Sequence, residues 1–360
     1  MKILLTFGTR PHFIKLFPLI RELRGNNIKL ILVHTGQHYS SKLDSIFFQE
    51  LPLAKPKYNL KVGSGSQAYQ TAKIIIELEK IILKEKPNLV MSLGDTNSDL
   101  ATALTSNKLL IPYGHLEAGL RSFDRQMPEE INRIVADHLA EYLFAPTNIA
   151  KTNLLKEGIL DKKIFVVGNL IVDAVYQSVK IAEQKSKILF RLNLNKNKYF
   201  LVTAHRQENV DYREKLSGIL AGLEKLGHEF GLPIIYSLHP RTKNRLKQFN
   251  LNKPLGIKFI EPLGYFDFLK LEANALLILT DSGGIQEESC ILKIPCVTLR
   301  ENTERPETIK IKSNMLAGTH PIKIVKAVHK MIEVKRNWHN PFGDGKTAIK
   351  TTKLIKNLKE

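Results

Sequence analysis

Short apolar runs alternate with amphipathic helical stretches along almost the whole chain, and this alternation is the strongest constraint on its fold. "KILLTF" leads into a helix expected from about Phe13 to Arg24, then "KLILVHT", then a helix around residues 41–50. "YQTAKIIIELEKIILKEK" leads into "NLVMSLGD", and a helix from about Thr96 leads into "IPYGHLEAG", followed by "EYLFAPT" and "KIFVVGN". The pattern then begins again with "YFLVTAHR", "PIIYSLHP", "IKFIEPL", "ALLILTDSGG" and "IPCVTLRE". Strand–helix alternation calls for parallel sheets with right-handed crossovers, so two doubly wound α/β domains are expected, with a substrate cleft between them. A length of 360 residues also suits two cores better than one. The break is expected near "VGNLIVDA", residues 167–174, dividing the chain into 1–170 and 171–342. A lysine-rich helix follows at 175–190, and a basic helix from about Gly345 closes the chain within 343–360.

Composition excludes several function classes. The net charge of +19 is spread as single lysines on helix faces, with no run of five or six basic residues. That distribution suits anionic small substrates better than a nucleic-acid stripe, so no nucleic-acid partner is expected. No apolar run approaches the ~18 residues of a membrane span, and the apolar start lacks a small-residue cleavage site, so neither membrane insertion nor secretion is expected. Cys290 and Cys296 in "CILKIPC" do not form C-x-x-C and read as buried thiols in a reducing cytoplasm. No H-E-x-x-H or paired C-x-x-C occurs, so no metal is expected. "GDGKT" at 343–347 is not a phosphate loop, because the required first glycine would fall at Asn340 and no buried strand precedes it.

The first turn, "ILLTFGTRPHFIK", runs from strand to helix without the G-x-G-x-x-G dinucleotide fingerprint and offers Arg10, His12 and Lys15 instead. The strongest local signal is "LTDSGGIQEES": a strand ends at Asp281, and Ser282, Gly283 and Gly284 open a helix. Free N–H groups at such a start bind phosphate, glycines let it approach, and Glu288 one turn in suits ribose hydroxyls. The competing reading is a glycine turn capped by Ser282 and followed by surface acids. Asp95 in "SLGDT", Glu117 in "GHLEAG" and Glu129 in "QMPEEINR" place acids at strand ends or a helix start, where clustered carboxylates would raise one another's pKa and serve acid/base work. Glu129 and Glu130 also fit the plain role of acids offsetting a helix dipole after Pro128. His205 and His239, beside Arg206 and Arg241, are strand-end histidines suited to pyrophosphate binding, proton transfer or simple structural duty.

Taken together, "GTRPHFIK", "GDT", "GHLEAGLRS", "PEEINR", "APT", "VGN", "HRQEN", "LTDSGGIQEE", "ERPET" and "NPFGDG" resemble the non-hydrolysing UDP-N-acetylglucosamine 2-epimerases over nearly the whole chain. The resemblance implies the GT-B architecture, two Rossmann-like domains with the active site in the interdomain cleft and segment 343–360 packing back on the first. It further implies a cytoplasmic homodimer of polysaccharide biosynthesis that needs no cofactor. The implied reaction interconverts UDP-GlcNAc and UDP-ManNAc by eliminating UDP to 2-acetamidoglucal and adding it back. Carried over, Asp95, Glu117, Glu129, His205 and Lys15 form the catalytic set. Arg10, Arg133, His239 and Arg305 contact substrate and pyrophosphate, Phe268 lies near uracil, Ser282, Gly283 and Gly284 cradle phosphate, and Glu288 holds the ribose. His12 stands where relatives often have Glu, and Gln207 where a second Arg is common. Relatives with "GTRPQFIK" epimerise UDP-2,3-diacetamido-glucuronic acid, which stands as an alternative beside a GT-B glycosyltransferase and a non-catalytic sugar-nucleotide sensor. Gln37 and His38 match part of the allosteric UDP-GlcNAc site of bacterial members, whereas Tyr39 and Ser40 differ, so weak or no such regulation is expected.

Overall fold

The computed structural model describes residues 1–36 and 55–358. Two compact units emerge, one of Met1–Ala174 with Phe342–Glu360 and one of Val175–Pro341. The helix expected around 41–50, and Gln37, His38, Tyr39 and Ser40, lie outside the described residues.

The first unit holds β1 (Lys2–Phe7), β2 (Lys29–His34), β3 (Tyr58–Asn59), β4 (Leu89–Leu93), β5 (Tyr113–Leu116), β6 (Tyr142–Ala145) and β7 (Ile164–Val166). They form one parallel sheet in the order β3-β2-β1-β4-β5-β6-β7. The second unit holds β8 (Phe200–Thr203), β9 (Ile234–Ser237), β10 (Ile257–Ile260), β11 (Leu277–Thr280), β12 (Cys296–Thr298) and β13 (Asn314–Leu316), in the order β10-β9-β8-β11-β12-β13, again parallel. In each sheet the first strand sits between the second and the fourth, so the winding direction reverses beside it. Such a reversal opens a crevice at the carboxyl ends of the two central strands.

Both sheets are covered on both faces, which is why their strands read as continuous apolar runs rather than alternating ones. In the second unit, Phe200, Val202, Ile234, Tyr236, Leu277 and Leu279 enter one buried cluster. Tyr199, Leu201, Ile235 and Ile278, one residue out of phase, enter the other. Cys290 and Cys296 are buried free thiols, and burial pushes them up to about 11 and about 12. Among the described residues no helix is long and apolar enough to cross a membrane.

Several elements differ from the sequence reading. The first helix spans Arg10–Gly25 rather than starting near Phe13, because Pro11 occupies its first turn, where a missing N–H costs nothing. β3 and β13 were not anticipated, being two and three residues long and too short to show a period. The segment expected as one helix at 175–190 is two, Leu170–Lys185 and Ile188–Leu192, and the first starts early because the Asn169 side chain accepts the Ile171 N–H at 3.0 Å.

The last helix, Thr347–Asn357, packs against Arg10–Gly25 within the first unit. Its start is held by buried Asp173, whose carboxylate oxygens accept the N–H groups of Thr347 at 3.1 Å and Ala348 at 3.0 Å. Asp173→Ala leaves those donors buried and unpaired and is expected to cost about 1–3 kcal/mol. Hydrogen exchange should accelerate at 347–350, and unchanged exchange there would show that the cap contributes nothing.

Candidate active site

In the first unit the reversal lies between β1 and β4. β4 runs out into Gly94 and Asp95, after which Thr96 starts the Asn97–Lys108 helix with a capping box. The Thr96 N–H and hydroxyl both donate to the Asp99 carboxylate at 2.8 Å, so the backbone turns sharply just beyond Asp95. Gly94 has φ +101, and a side chain there would meet His12 Nε2 at 3.0 Å. His12 is thus packed, buried, against the turn that presents Asp95.

Arg133 donates to Asp95 Oδ2 through Nε at 3.1 Å and Nη2 at 2.5 Å, and to Glu130 at 2.7 Å. Lys15 reaches Glu117 at 2.6 Å, with both side chains nearly buried. The sequence reading expected neighbouring carboxylates to raise one another, and for Asp95 the opposite holds. Burial alone would raise its pKa, but Arg133, then His12, with Lys15 further off, outweigh it and hold the carboxyl below its ordinary range. Cations stand between the acids, so Asp95 is an anion at neutral pH. Glu129 sits in the first turn of the Pro128–Leu139 helix, one turn before Arg133 on the same face. Its neighbour Glu130 is buried, accepts from the N–H groups of Ser122 and Phe123 at 2.9 Å each, and braces the approaching loop. Arg10 opens the first helix, and its side chain lies outside the described ones.

Beneath these groups is a network that sequence reasoning missed. His115 is fully buried, with Nδ1 at 2.6 Å from Asp137 and Nε2 at 2.8 Å from the Gly94 carbonyl. A carboxylate and a carbonyl can only accept, so both ring nitrogens must donate and the ring is an imidazolium. Asp137 in turn accepts the Gly119 N–H at 3.0 Å and pairs with Arg121 at 2.7 Å. Between them, Glu117 adopts φ +65, a left-handed backbone rare for glutamate that costs on the order of 1 kcal/mol. One buried pair therefore holds both the Asp95 turn and the Glu117 turn.

In the second unit the reversal lies between β8 and β11, where His205 and Asp281 leave the sheet. Asp281, fully buried, accepts the N–H groups of His205 and Arg206 at 2.9 Å each and the Asn209 amide at 3.1 Å on one oxygen. Its other oxygen lies 3.5 Å from His205 Nδ1. The His205 ring lies against His239, centroids 5.3 Å apart. His239 Nδ1 accepts the Arg241 N–H at 3.2 Å, capping its own helix. Burial, then the positive fields of His205 and Arg241, lower its pKa. Arg241 is bound to Asp211 at 2.6 Å and 3.0 Å, a structural commitment.

The Gly283–Ile291 helix follows Asp281, and the Ser282 side chain does not cap it. A side chain at Gly283 or Gly284 would meet nothing nearer than 3.7 Å or 3.8 Å, so internal packing does not demand glycine at either position. Glu287 is no surface acid: it is fully buried and receives Arg305 Nε at 2.7 Å. Beside Gly283, buried Glu304 gathers Arg206 at 3.1 Å and Arg300 at 2.7 Å. Burial would raise Glu304, but Arg206, Arg300 and Arg305 bring it down to about 2. Glu288 is half-buried, with the Tyr265 hydroxyl 3.5 Å away. Phe268 packs half-buried against the cluster containing Tyr199, Leu271 and Ile278.

Two parallel α/β units, each with charged groups and a histidine at its winding reversal, define a protein of the doubly wound kind, whose ligands bind at the carboxyl ends of the strands. A sequence profile of the UDP-N-acetylglucosamine 2-epimerase family matches residues 21–356, and the chain belongs to that family. It is 55% identical over 361 residues to the UDP-N-acetylglucosamine 2-epimerase of Methanocaldococcus jannaschii, covering 99% of both chains. It is 38% identical over 330 residues, 91% of each chain, to the UDP-2,3-diacetamido-2,3-dideoxy-D-glucuronate 2-epimerase of Pseudomonas aeruginosa. The crystal structure of the M. jannaschii UDP-GlcNAc 2-epimerase in complex with UDP-GlcNAc and UDP superposes with a TM-score of 0.91, covering 99% of this chain and 100% of that one.

The buried pair gives a testable pH dependence. Burial alone would lower His115, but Asp137 and the Gly94 carbonyl raise it above its ordinary 6.5. Asp137 is held below its ordinary 3.8 by His115 and Arg121 despite burial. The His115 contribution to stability is complete below the ordinary histidine pKa and is lost as pH rises through the raised value. The Asp137 contribution is present above the ordinary aspartate pKa and is lost as pH falls through the depressed one. In denaturant unfolding, His115→Gln is expected to cost about 1–3 kcal/mol at neutral pH and to flatten the alkaline decline. A wild-type decline that survives in His115→Gln would exclude the imidazolium.

Proposed function

We propose that the protein interconverts UDP-N-acetylglucosamine and UDP-N-acetylmannosamine by inversion at C2. Identity of 55% over nearly the full length to a UDP-N-acetylglucosamine 2-epimerase is the observation that carries the reading. The C2 hydrogen has no adjacent carbonyl to acidify it, so its removal is coupled to departure of UDP. The C2–H electrons form a C1–C2 double bond as the C1–O bond breaks, leaving 2-acetamidoglucal and UDP. Protonation of C2 on the opposite face, with return of the UDP oxygen to C1, gives the epimer.

In this reading Asp95, Glu117, Glu129, His205 and Lys15 serve the proton transfers, and Asp95, held as an anion, enters as an acceptor. Arg10, Arg133, His239 and Arg305 offset charge on the pyrophosphate. Ser282, Gly283 and Gly284 form its cradle, which accounts for a glycine pair that internal packing does not require. Glu288 takes the ribose and Phe268 adjoins the uracil. The same reading includes a cytoplasmic homodimer.

Given UDP-GlcNAc alone in deuterium oxide, the protein is expected to form UDP-ManNAc carrying deuterium at C2. No reaction without an acceptor would sink the reading and favour a glycosyltransferase. Asp95→Asn and Glu117→Gln are each expected to lower kcat by about 10²–10⁴ without loss of fold; a fully active variant would remove that residue from the mechanism.

A second reading, a 2-epimerase of UDP-2,3-diacetamido-glucuronic acid, is favoured by the Pseudomonas relative, and His12, buried against the Asp95 turn, is the residue placed to alter sugar selectivity. Substrate profiling of His12→Glu decides it: a change in preferred sugar assigns His12 to selectivity, and an unchanged profile assigns it to packing.

A further inference from the structure

Glu272, on the Tyr265–Asn274 helix, is an acid where an apolar residue would be expected. Its neighbours Leu271 and Ala275 belong to the buried cluster under β8 and β11, and Glu272 itself is fully buried. Neither carboxyl oxygen meets a hydrogen-bond donor among the described residues. Among the described residues, the titratable groups that face it are Glu288 on the adjoining helix, Tyr265 about two turns earlier, Tyr199 before β8 and Cys296 on β12. None of these is a cation. An ionised carboxylate in that setting would carry a large desolvation cost with nothing to offset it, so the side chain must hold its proton. A protonated carboxyl has one O–H to give, and the acceptor beside it is the Glu288 carboxylate. Burial, then the charge of Glu288, drive the Glu272 pKa well up, in agreement with this arrangement. Glu287, next to Glu288 in sequence and equally buried, has Arg305 at 2.7 Å and needs no such proton.

We propose that Glu272 is a neutral carboxylic acid that donates its O–H to Glu288 and so fixes the Glu288 carboxylate as an acceptor for the ribose hydroxyls of a uridine nucleotide. The ribose half of this statement rests on the proposed function; the proton does not. Glu272 is a positioning residue, acting on substrate only through Glu288. A shared proton lets Glu288 keep its negative charge close to a second acid, and the Tyr265 hydroxyl at 3.5 Å borders the same carboxylate. With the deeper carboxyl supplying one donor, the remaining acceptor sites of Glu288 are directed away from it.

Infrared difference spectroscopy in deuterium oxide at neutral pH tests the proton. The wild type is expected to show the carbonyl stretch of a protonated carboxylic acid, and Glu272→Gln to lack it; a wild type without the band overturns the proposal. Calorimetry with UDP tests the positioning. Glu272→Gln, whose amide still donates to Glu288, should bind UDP as the wild type does, whereas Glu272→Met should bind about tenfold more weakly. With 2′,3′-dideoxy-UDP the difference between the two variants should vanish, which general loosening of the helix would not produce. Equal UDP affinity of all three proteins would overturn the positioning role even if the band is present. A wild type that binds no UDP would remove the proposed function and the positioning role together, while the infrared band would still decide the proton. Should Glu272→Met fail to fold, Glu272→Leu takes its place in the same comparison.

Discussion

Much of the first unit's polar architecture depends on a single positive charge placed where water cannot reach it. His115 bridges two acceptors, the Asp137 carboxylate and the Gly94 carbonyl, and this geometry forces the doubly protonated ring. A buried ion pair of this kind is weak as a source of net stability, because desolvation consumes most of the attraction. Its value lies in geometry. The same pair reaches Gly94, next to Asp95, and Gly119, two residues past Glu117. Both turns are thereby tied to one rigid object, and Glu117 is kept in a left-handed backbone that it would not hold alone.

The second unit meets the same problem with the opposite sign. Its central polar group is an anion, Asp281, which collects three N–H donors on one oxygen at the ends of β8 and β11. Asp281 stands where the second sheet reverses its winding, and His115, on β5, braces the Gly94 turn at the end of β4, which borders the reversal of the first. Charge at that point is matched by backbone dipoles and nearby side chains rather than by bulk solvent. The half-buried groups above it, Asp95 in one unit and His205 in the other, are positioned by atoms that are themselves held by hydrogen bonds.

The fold was legible because parallel strands covered on both faces leave mostly apolar runs, such as those of β1, β4, β8 and β11. β3 and β13 leave none, since Tyr58–Asn59 and Asn314–Leu316 owe their strand character to a neighbour rather than to their own pattern. Acids and histidines at strand ends were legible as candidates for the same reason that the strands were: the position follows from the period. What each one touches was not. His115 meets Asp137 across 22 residues and Arg133 meets Asp95 across 38, and no local pattern encodes such pairs. This is why the expected mutual raising of the carboxylates failed: spacing located the acids but could not show the cations between them. Ser282 erred in the other direction, since its residue type suggests a cap that its side chain does not provide.

The surplus of basic residues acquires a more specific meaning once burial is considered. Four of the buried acids of the second unit are each handled differently. Asp281 is held by N–H donors, Glu304 by three arginines, and Glu287 by one. Among the described residues, Glu272 has no cation and faces only groups that are neutral or negative. A chain with 54 lysines and arginines against 35 acids does not leave a buried glutamate without a basic partner for want of basic residues. Packing alone would favour leucine or methionine at such a site by several kcal/mol over an uncompensated acid. The arrangement is consistent with the electrostatics only if the acid is uncharged, and an uncharged acid beside a carboxylate is a hydrogen-bond donor in a place where lysine would have cancelled the charge of Glu288 and methionine would have offered nothing.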